Sequence, residues 1–339
     1  MAEFLKLAFV GCGAISQMHL MGIRQGAPRI RVTAAIDTDR SRAESVAAET
    51  GAEVFTSLEE GLERGDFDAV DLMLPHDAHE AAALRAFAAG VHVLLEKPDS
   101  PTVEACDRIL EAASRAGTVF MVAENAQYWP EIGIAKQLLE ASAIGEIVTA
   151  RASFFIPPLP AYYGEAGGAQ PWRFDVRTAG GGIAIDTGSH WLRPLRMWLG
   201  ELDEVVAALG HPLDGMEGES LVRALLRFRS GVVAVFDGLL TRGALGPERL
   251  FRITGSRGEI TVDGPGRVML YDEESPRGRQ VGETGGYMKS YAGELADFAA
   301  AVLDGAPLAA GPEQSLGELR GALAMVRSAE TGRWEKVWA

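Results

Sequence analysis

Cysteine, long apolar runs and positive charge are all scarce in this sequence, and each scarcity excludes a class of protein. Two cysteines in 339 residues cannot form the disulfide framework of small secreted domains, so we expect a reducing cytoplasm. No apolar run approaches the ~18 residues of a membrane span, and the acidic first residues are unlike a signal peptide. A net charge of −15 argues against nucleic acid or a membrane as partner. The length fits two globular domains.

The residues that are present point first to a dinucleotide site near the N-terminus. Leu5, Leu7, Phe9 and Val10 form a short apolar run typical of a buried parallel strand, and Gly11 and Gly13 follow it. Helix-forming residues come next. This strand–glycine–helix order directs backbone N–H groups at a diphosphate. The match to the full glycine fingerprint is partial, because Ser16 occupies the third glycine position.

A second apolar strand ends in a carboxylate at the spacing that a ribose-binding residue requires. Asp37 lies 24 positions beyond Gly13, close to the ~20 expected for such a residue. A carboxylate there would repel the 2′-phosphate of NADP, so NAD is favoured, although Arg40 and Arg42 are near enough to weaken this preference. The alternative is that Asp37 only caps the helix that begins near Arg40.

The pattern of predicted secondary structure changes after the first third of the chain. Strands and helices alternate as far as residues 119–123, which predicts an α/β domain over residues 1–125 with a doubly wound parallel (Rossmann) sheet. Strand segments joined by tight turns then predict an α+β domain over residues 126–339 with a large open, mostly antiparallel sheet. Residues 157–182, rich in Pro and Gly, form a stretch too long for a simple connection and are expected to be a functional loop.

The antiparallel sheet is also expected to mediate assembly. Helices predicted at 291–303 and 313–330 would cover one of its faces. Strands at 221–226 and 232–236 carry apolar residues on both faces, which a solvated face disfavours. We therefore expect two subunits to bury the second face against each other, giving a homodimer or a homotetramer built from such dimers.

Glu96-Lys97-Pro98 follows the fifth predicted strand directly. Ligands of open α/β sheets bind at the carboxyl ends of the strands. Pro98 has no N–H and restricts the residue before it, which fixes how the lysine projects. Lys97 could simply be a solvated surface residue, but its place at the end of a buried strand favours a role in binding or catalysis.

A second group of reactive residues follows three consecutive glycines, Gly180 to Gly182. If a helix begins near Asp186, then Asp186 and His190 share one helical face because they are four residues apart. A carboxylate and an imidazole on one face can bind adjacent hydroxyls and exchange a proton. A capping Asp and a packed His are the alternative, which is weaker for the pair than for either residue alone.

These motifs together resemble the Gfo/Idh/MocA oxidoreductase family, the group of glucose–fructose oxidoreductase and inositol dehydrogenase. The resemblance rests on the Gly-Cys-Gly turn with His19, on Glu96-Lys97-Pro98, and on Asp186 and His190 after three glycines, in the family's order. It covers nearly the whole chain. It implies NAD(P), an N-terminal Rossmann domain, a C-terminal domain with a large open sheet, and sugars, cyclitols or their derivatives as substrates.

The resemblance also implies roles for single residues. Lys97 matches the family's motif lysine, Asp186 would orient the substrate, and His190 would be the acid/base. No metal site is expected. The residues expected to bind the cofactor are Gly11, Gly13, Ala14, Ile15, Asp37, Leu74, Pro75, His79, Glu96, Lys97, Asn125, Trp172 and Arg173.

Two positions depart from the family pattern. Gln127 replaces the arginine of an Asn-x-Arg sequence, which weakens the case for an acidic substrate, and Tyr128 and Trp129 favour stacking on a sugar face or an aglycone. His76 stands where members often have Asn.

These observations predict an NAD(H)-dependent oxidoreductase that acts on a secondary alcohol of a sugar, cyclitol or glycoside. His190 would take the hydroxyl proton, Lys97 would stabilise charge on the same oxygen, and Asp186 would fix a neighbouring hydroxyl. One alternative is an NAD-dependent glycosidase or lyase that oxidises its substrate transiently with a tightly bound cofactor. Another is a non-catalytic NAD-binding regulator, which the presence of all three residues disfavours.

Overall fold

The chain forms two compact units, described from a computed structural model. The structure describes residues 3–157, 159–164, 170–243, 245–246, 249–264, 266–284 and 287–339, without the side chains of residues 161, 249 and 287. The first unit comprises Met1–Asn125 and Met288–Leu316, and the second comprises Ala126–Tyr287 and Gly317–Ala339. The units differ from the predicted domains because residues 288–316 belong to the first one.

The elements follow the order expected from the sequence, with additional strands near the end. The strands are β1 (Leu5–Val10), β2 (Ile30–Ile36), β3 (Glu53–Phe55), β4 (Ala69–Leu72), β5 (His92–Glu96), β6 (Phe120–Ala123), β7 (Ile147–Ile156), β8 (Leu202–Gly210), β9 (Leu221–Phe228), β10 (Val233–Leu240), β11 (Arg249–Gly255), β12 (Glu259–Asp263), β13 (Arg267–Tyr271), β14 (Arg279–Glu283) and β15 (Glu335–Lys336). The helices are α1 (Ala14–Gly26), α2 (Arg40–Thr50), α3 (Leu58–Arg64), α4 (His79–Ala88), α5 (Val103–Ala116), α6 (Pro130–Glu140), α7 (Pro160–Tyr163), α8 (Val176–Ala179), α9 (Ile183–Asp186), α10 (Ser189–Leu199), α11 (Ser290–Asp304) and α12 (Glu313–Thr331). None of these helices is both long and apolar enough to cross a membrane.

A six-stranded parallel sheet forms the centre of the first unit. Its order is β3-β2-β1-β4-β5-β6, so the strand order reverses between β1 and β4. All four residues of β4 and of β6 are buried, and apart from Asp71 on β4 they are all apolar, as expected for strands covered on both faces. In a sheet of this order ligands bind at the carboxyl ends of the strands, beside the point of reversal.

Helix α11 packs against α1 in the first unit. An added Cβ at Gly22 would lie 2.8 Å from the Cβ of Tyr291, and one at Gly26 would lie 2.9 Å from the Cβ of Ala292. The missing side chains therefore let the two helices approach closely. The helix predicted at 291–303 was expected to cover the antiparallel sheet. This expectation is wrong, because α11 packs on the two glycines of α1 instead.

The second unit is built on a nine-stranded sheet of order β14-β13-β12-β11-β7-β10-β9-β8-β15. Only β7 and β10 pair in parallel, and the other neighbours are antiparallel. The α/β fold class with a second, mostly antiparallel sheet is therefore confirmed. The sequence pattern predicts six strands in this unit, which correspond to β7 to β12, and the structure adds β13, β14 and β15. Residues 157–182 include the short helices α7 and α8, and residues 158 and 165–169 lie outside the described part.

A buried ionic cluster joins α10 to α12 within the second unit. Arg193 donates to both carboxylate oxygens of Glu318, at 3.1 and 2.7 Å, and Arg196 contacts the same carboxylate. The guanidinium of Arg193 also donates to the side-chain amide oxygen of Gln127 at 3.5 Å. An arginine at position 127 would bring a second cation to Arg193, which gives a physical reason for the departure from the family pattern.

Candidate functional site

The glycine turn after β1 has the shape that a diphosphate requires. Gly11 has φ +91°, and an added Cβ would lie 2.3 Å from the carbonyl oxygen of Met73, so only glycine fits. An added Cβ at Gly13 meets no atom within 4 Å, and Gly13 opens α1 without a side-chain cap. The N-terminus of α1, where Ala14 and Ile15 lie, therefore faces open space next to the backbone.

Asp37 holds the same turn. One carboxylate oxygen accepts a hydrogen bond from the Cys12 N–H at 2.8 Å, and the other accepts from the Asp39 N–H at 2.8 Å. The N-cap of α2 is Asp39, whose side chain accepts from the Ser41 N–H, so the alternative role for Asp37 as that cap is wrong. Each oxygen retains a lone pair that a ribose hydroxyl could use. Burial and the Asp37 carboxylate raise the pKa of the Cys12 thiol to about 12.

The loops after β4 and β5 are connected through His79. Its two ring nitrogens lie 2.9 Å from the carbonyl oxygens of Leu74 and Pro98, and the ring is fully buried. Burial lowers the pKa of His79. Leu74 also lies against Gly11, while Pro75 precedes the turn of helix at His76–Ala78. His79 thus shapes the edge of the sheet, and its contact with a cofactor stays a prediction.

Lys97 follows β5, and its main chain is held by its neighbour. The Lys97 N–H donates to a carboxylate oxygen of Glu96 at 3.1 Å, and the Lys97–Pro98 peptide is cis. The other oxygen of Glu96 lies 3.0 Å from Nε2 of His19, a residue of α1. Glu96 and Lys97 therefore lie at the same edge of the sheet as the glycine turn.

Asn125 lies at the same edge of the sheet with an amide that could bond to a ligand. It is buried two residues beyond β6, and neither atom of its amide has a hydrogen-bond partner among the described residues. A buried, unpaired amide is unfavourable unless a ligand or ordered water satisfies it. With the open turn at Gly13 and the lone pairs of Asp37, this site fits a dinucleotide.

In the second unit, Gly182 packs against Glu219, and Gly218 packs against Gly181 and Gly182. Glu219 accepts hydrogen bonds from the N–H groups of Gly182 and Ala184, at 3.0 and 2.9 Å. An added Cβ at Gly182 would lie 2.1 Å from the Glu219 carbonyl oxygen. Burial raises the pKa of Glu219 despite these bonds. The glycines therefore serve the packing of the protein itself, and Glu219 fixes the start of α9.

The sequence suggested a helix that begins near Asp186, but Asp186 is the last residue of α9. Thr187 and Gly188 keep helical torsion angles, but the Gly188 N–H bonds the Ile183 carbonyl five residues back, and α10 starts at Ser189. An added Cβ at Gly188 would lie 2.4 Å from the Ala184 carbonyl oxygen. The turn between Asp186 and His190 is thus locally widened.

The carboxylate of Asp186 is held by two side chains from residues 157–182. The Tyr163 hydroxyl donates to Oδ2 at 3.1 Å, and Nε of Arg173 donates to the same oxygen at 3.2 Å. Burial and the Asp186 charge raise the pKa of Tyr163, which keeps its hydroxyl protonated. The Arg173 guanidinium lies over the ring of Trp172 at 4.1 Å and over that of Tyr162 at 5.4 Å. A contact of Trp172 or Arg173 with nicotinamide stays a prediction.

His190 is the second residue of α10, in aromatic surroundings. Its ring centroid lies 6.3 Å from that of Trp129 and 6.1 Å from that of Trp191, and the side chain is buried. The adjacent Ser189 hydroxyl is buried with no hydrogen-bond partner in the described part of the chain. His190 follows the held carboxylate of Asp186 by four residues, and an imidazole is the side chain most often used to take a proton from a hydroxyl.

Sequence reasoning missed Tyr163 and Glu219 as members of this site. Tyr163 lies in the stretch predicted to be a functional loop, where no local pattern assigns it a partner, and Glu219 lies in a segment with no motif. Tyr163 contacts Asp186, 23 positions away, and Glu219 contacts Gly182, 37 positions away. Only a pattern of pairing between distant positions could have found them.

Comparison with known proteins identifies the family of the chain. The GFO/IDH/MocA model, described as an oxidoreductase family with an NAD-binding Rossmann fold, matches residues 5–124, and the GFO/IDH/MocA C-terminal domain matches residues 133–261. A 1,5-anhydro-D-fructose reductase from Ensifer adhaerens is 29% identical over 341 residues, which is 97% of this chain and 97% of that protein. A D-apiose dehydrogenase from Paraburkholderia graminis is 28% identical over 278 residues, which is 80% of this chain and 71% of that protein.

A solved structure gives the same result for the whole chain. An oxidoreductase from Thermotoga maritima superposes with a TM-score of 0.86 at 30% identity and covers 99% of both chains. Both domains of the family are thus matched in sequence, in order and in fold. The chain belongs to the GFO/IDH/MocA family of NAD-binding oxidoreductases.

Proposed function

We propose that the protein is an NAD-dependent dehydrogenase or reductase that acts on a secondary alcohol, or the matching ketone, of a sugar, cyclitol or glycoside. The observation that carries this proposal is the carboxylate of Asp186, which Tyr163 and Arg173 hold in place. Asp186 precedes His190 by four residues. The sugar-acting relatives from Ensifer adhaerens and Paraburkholderia graminis support the substrate class. When bound, NAD accepts a hydride from the alcohol, and its reduced form returns one.

Three side chains, those of His190, Lys97 and Asp186, have separate roles in the proposed reaction. His190 takes the hydroxyl proton in oxidation and gives it back in reduction. The Lys97 ammonium polarises the same oxygen and stabilises the negative charge that develops on it. Asp186, fixed by Tyr163 and Arg173, accepts a hydrogen bond from a neighbouring hydroxyl and so selects the reacting carbon.

A screen for turnover tests the proposal. The purified protein is mixed with NAD and D-apiose, D-glucose or myo-inositol, and with NADH and 1,5-anhydro-D-fructose, while the absorbance of NADH is followed. Turnover of a sugar or cyclitol is expected. Cleavage of an aryl glycoside without added cofactor would instead indicate a glycosidase, which the names of these relatives do not favour.

Two substitutions test the assigned residues. Lys97→Ala and His190→Ala are each expected to lower kcat by at least ~10²-fold, since both act on the proton and charge of the reacting hydroxyl. The Kd for NAD, measured by fluorescence titration, should stay near that of the wild type. The exposed residues Lys136 and His211 provide the alanine controls. A Lys97→Ala or His190→Ala variant that keeps most of its kcat would remove that residue from the mechanism.

A further inference from the structure

A buried histidine of α1 lies between two carboxylates of the parallel sheet. Nδ1 of His19 is 2.7 Å from Oδ2 of Asp71 on β4, and Nε2 is 3.0 Å from Oε1 of Glu96 at the end of β5. All three side chains are almost fully inaccessible to solvent. The ring of Tyr291 packs 5.5 Å from the imidazole, and the Glu294 carboxyl lies 3.9 Å from its Nε2.

This geometry favours the protonated form of the imidazole. A neutral ring has one N–H and can donate to only one of two carboxylates, whereas an imidazolium donates to both. Burial alone would lower the pKa of His19, but the carboxylates of Asp71 and Glu96 outweigh it and raise the pKa well above its ordinary value. His19 therefore donates in both directions and orients the carboxylate of Glu96.

The oriented carboxylate in turn holds Lys97. Oε2 of Glu96 accepts from the Lys97 N–H at 3.1 Å, while the carbonyl oxygen of Pro98 lies 2.9 Å from Nδ1 of His79. The main chain on either side of the lysine is therefore bonded to a side chain that is itself buried. A chain of hydrogen bonds runs from Asp71 through His19 and Glu96 to the backbone of Lys97.

We infer that His19 is a positioning residue for Lys97 and acts on it through Glu96. The inference rests on the proposed function for the catalytic role of Lys97, but the hydrogen-bond chain itself can be tested without turnover. A displacement of about 1 Å at a reacting group can lower a rate by about 10²-fold. Loss of the His19–Glu96 bond should therefore lower kcat.

Two amide substitutions separate the two bonds of the imidazole. His19→Asn places an amide near the Nδ1 position and can keep the bond to Asp71, whereas His19→Gln reaches the Nε2 position and can keep the bond to Glu96. Each variant loses one bond and the same charge, so the pair is matched for stability. Positioning of Lys97 requires that His19→Gln retain function better than His19→Asn.

Glu294→Gln supplies a third, neutral control in the same cluster. Burial, with the neighbouring carboxylates Glu96, Asp71 and Glu124 adding to it, raises the pKa of Glu294 well above its ordinary value although His19 opposes this. Burial thus favours the uncharged form of the Glu294 side chain, and glutamine is its neutral replacement of the same length. This substitution leaves both bonds of Glu96 in place.

Hydrogen–deuterium exchange of the Lys97 amide tests the chain directly in the full-length protein. Exchange should become faster in His19→Asn and in Glu96→Gln but stay near the wild-type rate in His19→Gln and Glu294→Gln. Equal exchange in His19→Asn and His19→Gln would overturn the inference. This readout requires no substrate, so it decides the positioning even if no sugar is turned over and the proposed function fails.

A double-mutant cycle then tests whether His19 acts through Lys97. With NADH and 1,5-anhydro-D-fructose as the probe, His19→Asn should lower kcat by about 10- to 10²-fold with little change in KM. In a Lys97→Ala background the same substitution should cause no further loss. Losses that multiply, or an equal loss in Glu294→Gln, would show that His19 serves general stability and would overturn the inference.

Discussion

At the scale of single residues, the preference between NAD and NADP rests on Asp37. Its carboxylate binds two backbone N–H groups at the end of β2, beside the turn that carries Gly11 and Gly13. A 2′-phosphate placed there would meet a fixed negative charge, and like charges brought together in this way are strongly unfavourable. The wild type is therefore expected to prefer NAD.

Asp37→Ala should shift the ratio of kcat/KM for NAD to that for NADP toward NADP by about tenfold or more. The control is Asp39→Ala, which removes the cap of α2 and should lower stability by about 1 kcal/mol without changing the ratio. Steady-state kinetics with both cofactors, together with thermal unfolding, measures the two effects. A wild type that prefers NADP would contradict the assignment, and an unchanged ratio in Asp37→Ala would restrict Asp37 to holding the turn.

At the scale of elements, the contact between α1 and α11 decides where the segment 288–316 belongs. Gly22 and Gly26 lie one turn apart on α1 and leave room for Tyr291 and Ala292. Because Tyr291 also packs on the ring of His19, this contact supports the buried cluster behind Lys97. The helix that closes the first unit is therefore part of the architecture of its site.

Gly22→Ala should destabilise the protein by about 1–3 kcal/mol, because the new methyl group would overlap the Cβ and backbone of Tyr291. Gly133→Ala is the matched control, since Gly133 lies within α6 and an added Cβ there meets no atom within 4 Å. That control should gain about 0.5–1 kcal/mol from helix propensity alone. Urea unfolding of the two variants measures both. A Gly22→Ala variant as stable as Gly133→Ala would show that the two helices can separate without loss.

At the scale of the whole molecule, the outer face of the nine-stranded sheet is the feature that bears on assembly. Cross-strand pairs on this face alternate between apolar residues, Leu225 with Val235, and an ion pair, Arg223 with Asp237. Leu225 is 42% exposed and Val235 is 39% exposed. The face is thus less apolar than the sequence pattern predicted, because Arg223 and Arg227 lie on either side of Leu225 on the exposed face of β9.

We still expect two subunits to bury this face, since a mixed apolar and ionic surface is typical of an interface. Light scattering at micromolar concentration should give a dimer or tetramer, and Leu225→Asp should shift it toward monomer. Val148→Asp is the control, because Val148 is 60% exposed but its place in β7 puts it on the opposite side of the sheet. A monomeric wild type would contradict the prediction.

The sequence by itself determined the order and type of most elements and the residues at the edge of the parallel sheet. Apolar runs bounded by glycine turns are local signals, because the period of side-chain burial is fixed by the backbone of each strand or helix. The positions of Gly11, Asp37 and Lys97 at strand ends follow from that order, since the carboxyl ends of parallel strands share one edge. Strands β13 and β14 were missed although residues 267–271 alternate in the same way.

Only the tertiary structure decided which distant residues meet. Helix α11 has an apolar face that could have packed on either sheet, and the choice was made by the two glycines of α1 more than 260 positions earlier. Tyr163 on Asp186, Glu219 on the glycine stretch, and His19 between Asp71 and Glu96 are likewise pairs of residues far apart in sequence. Such contacts depend on side-chain packing and on the satisfaction of buried polar groups, which no local pattern encodes.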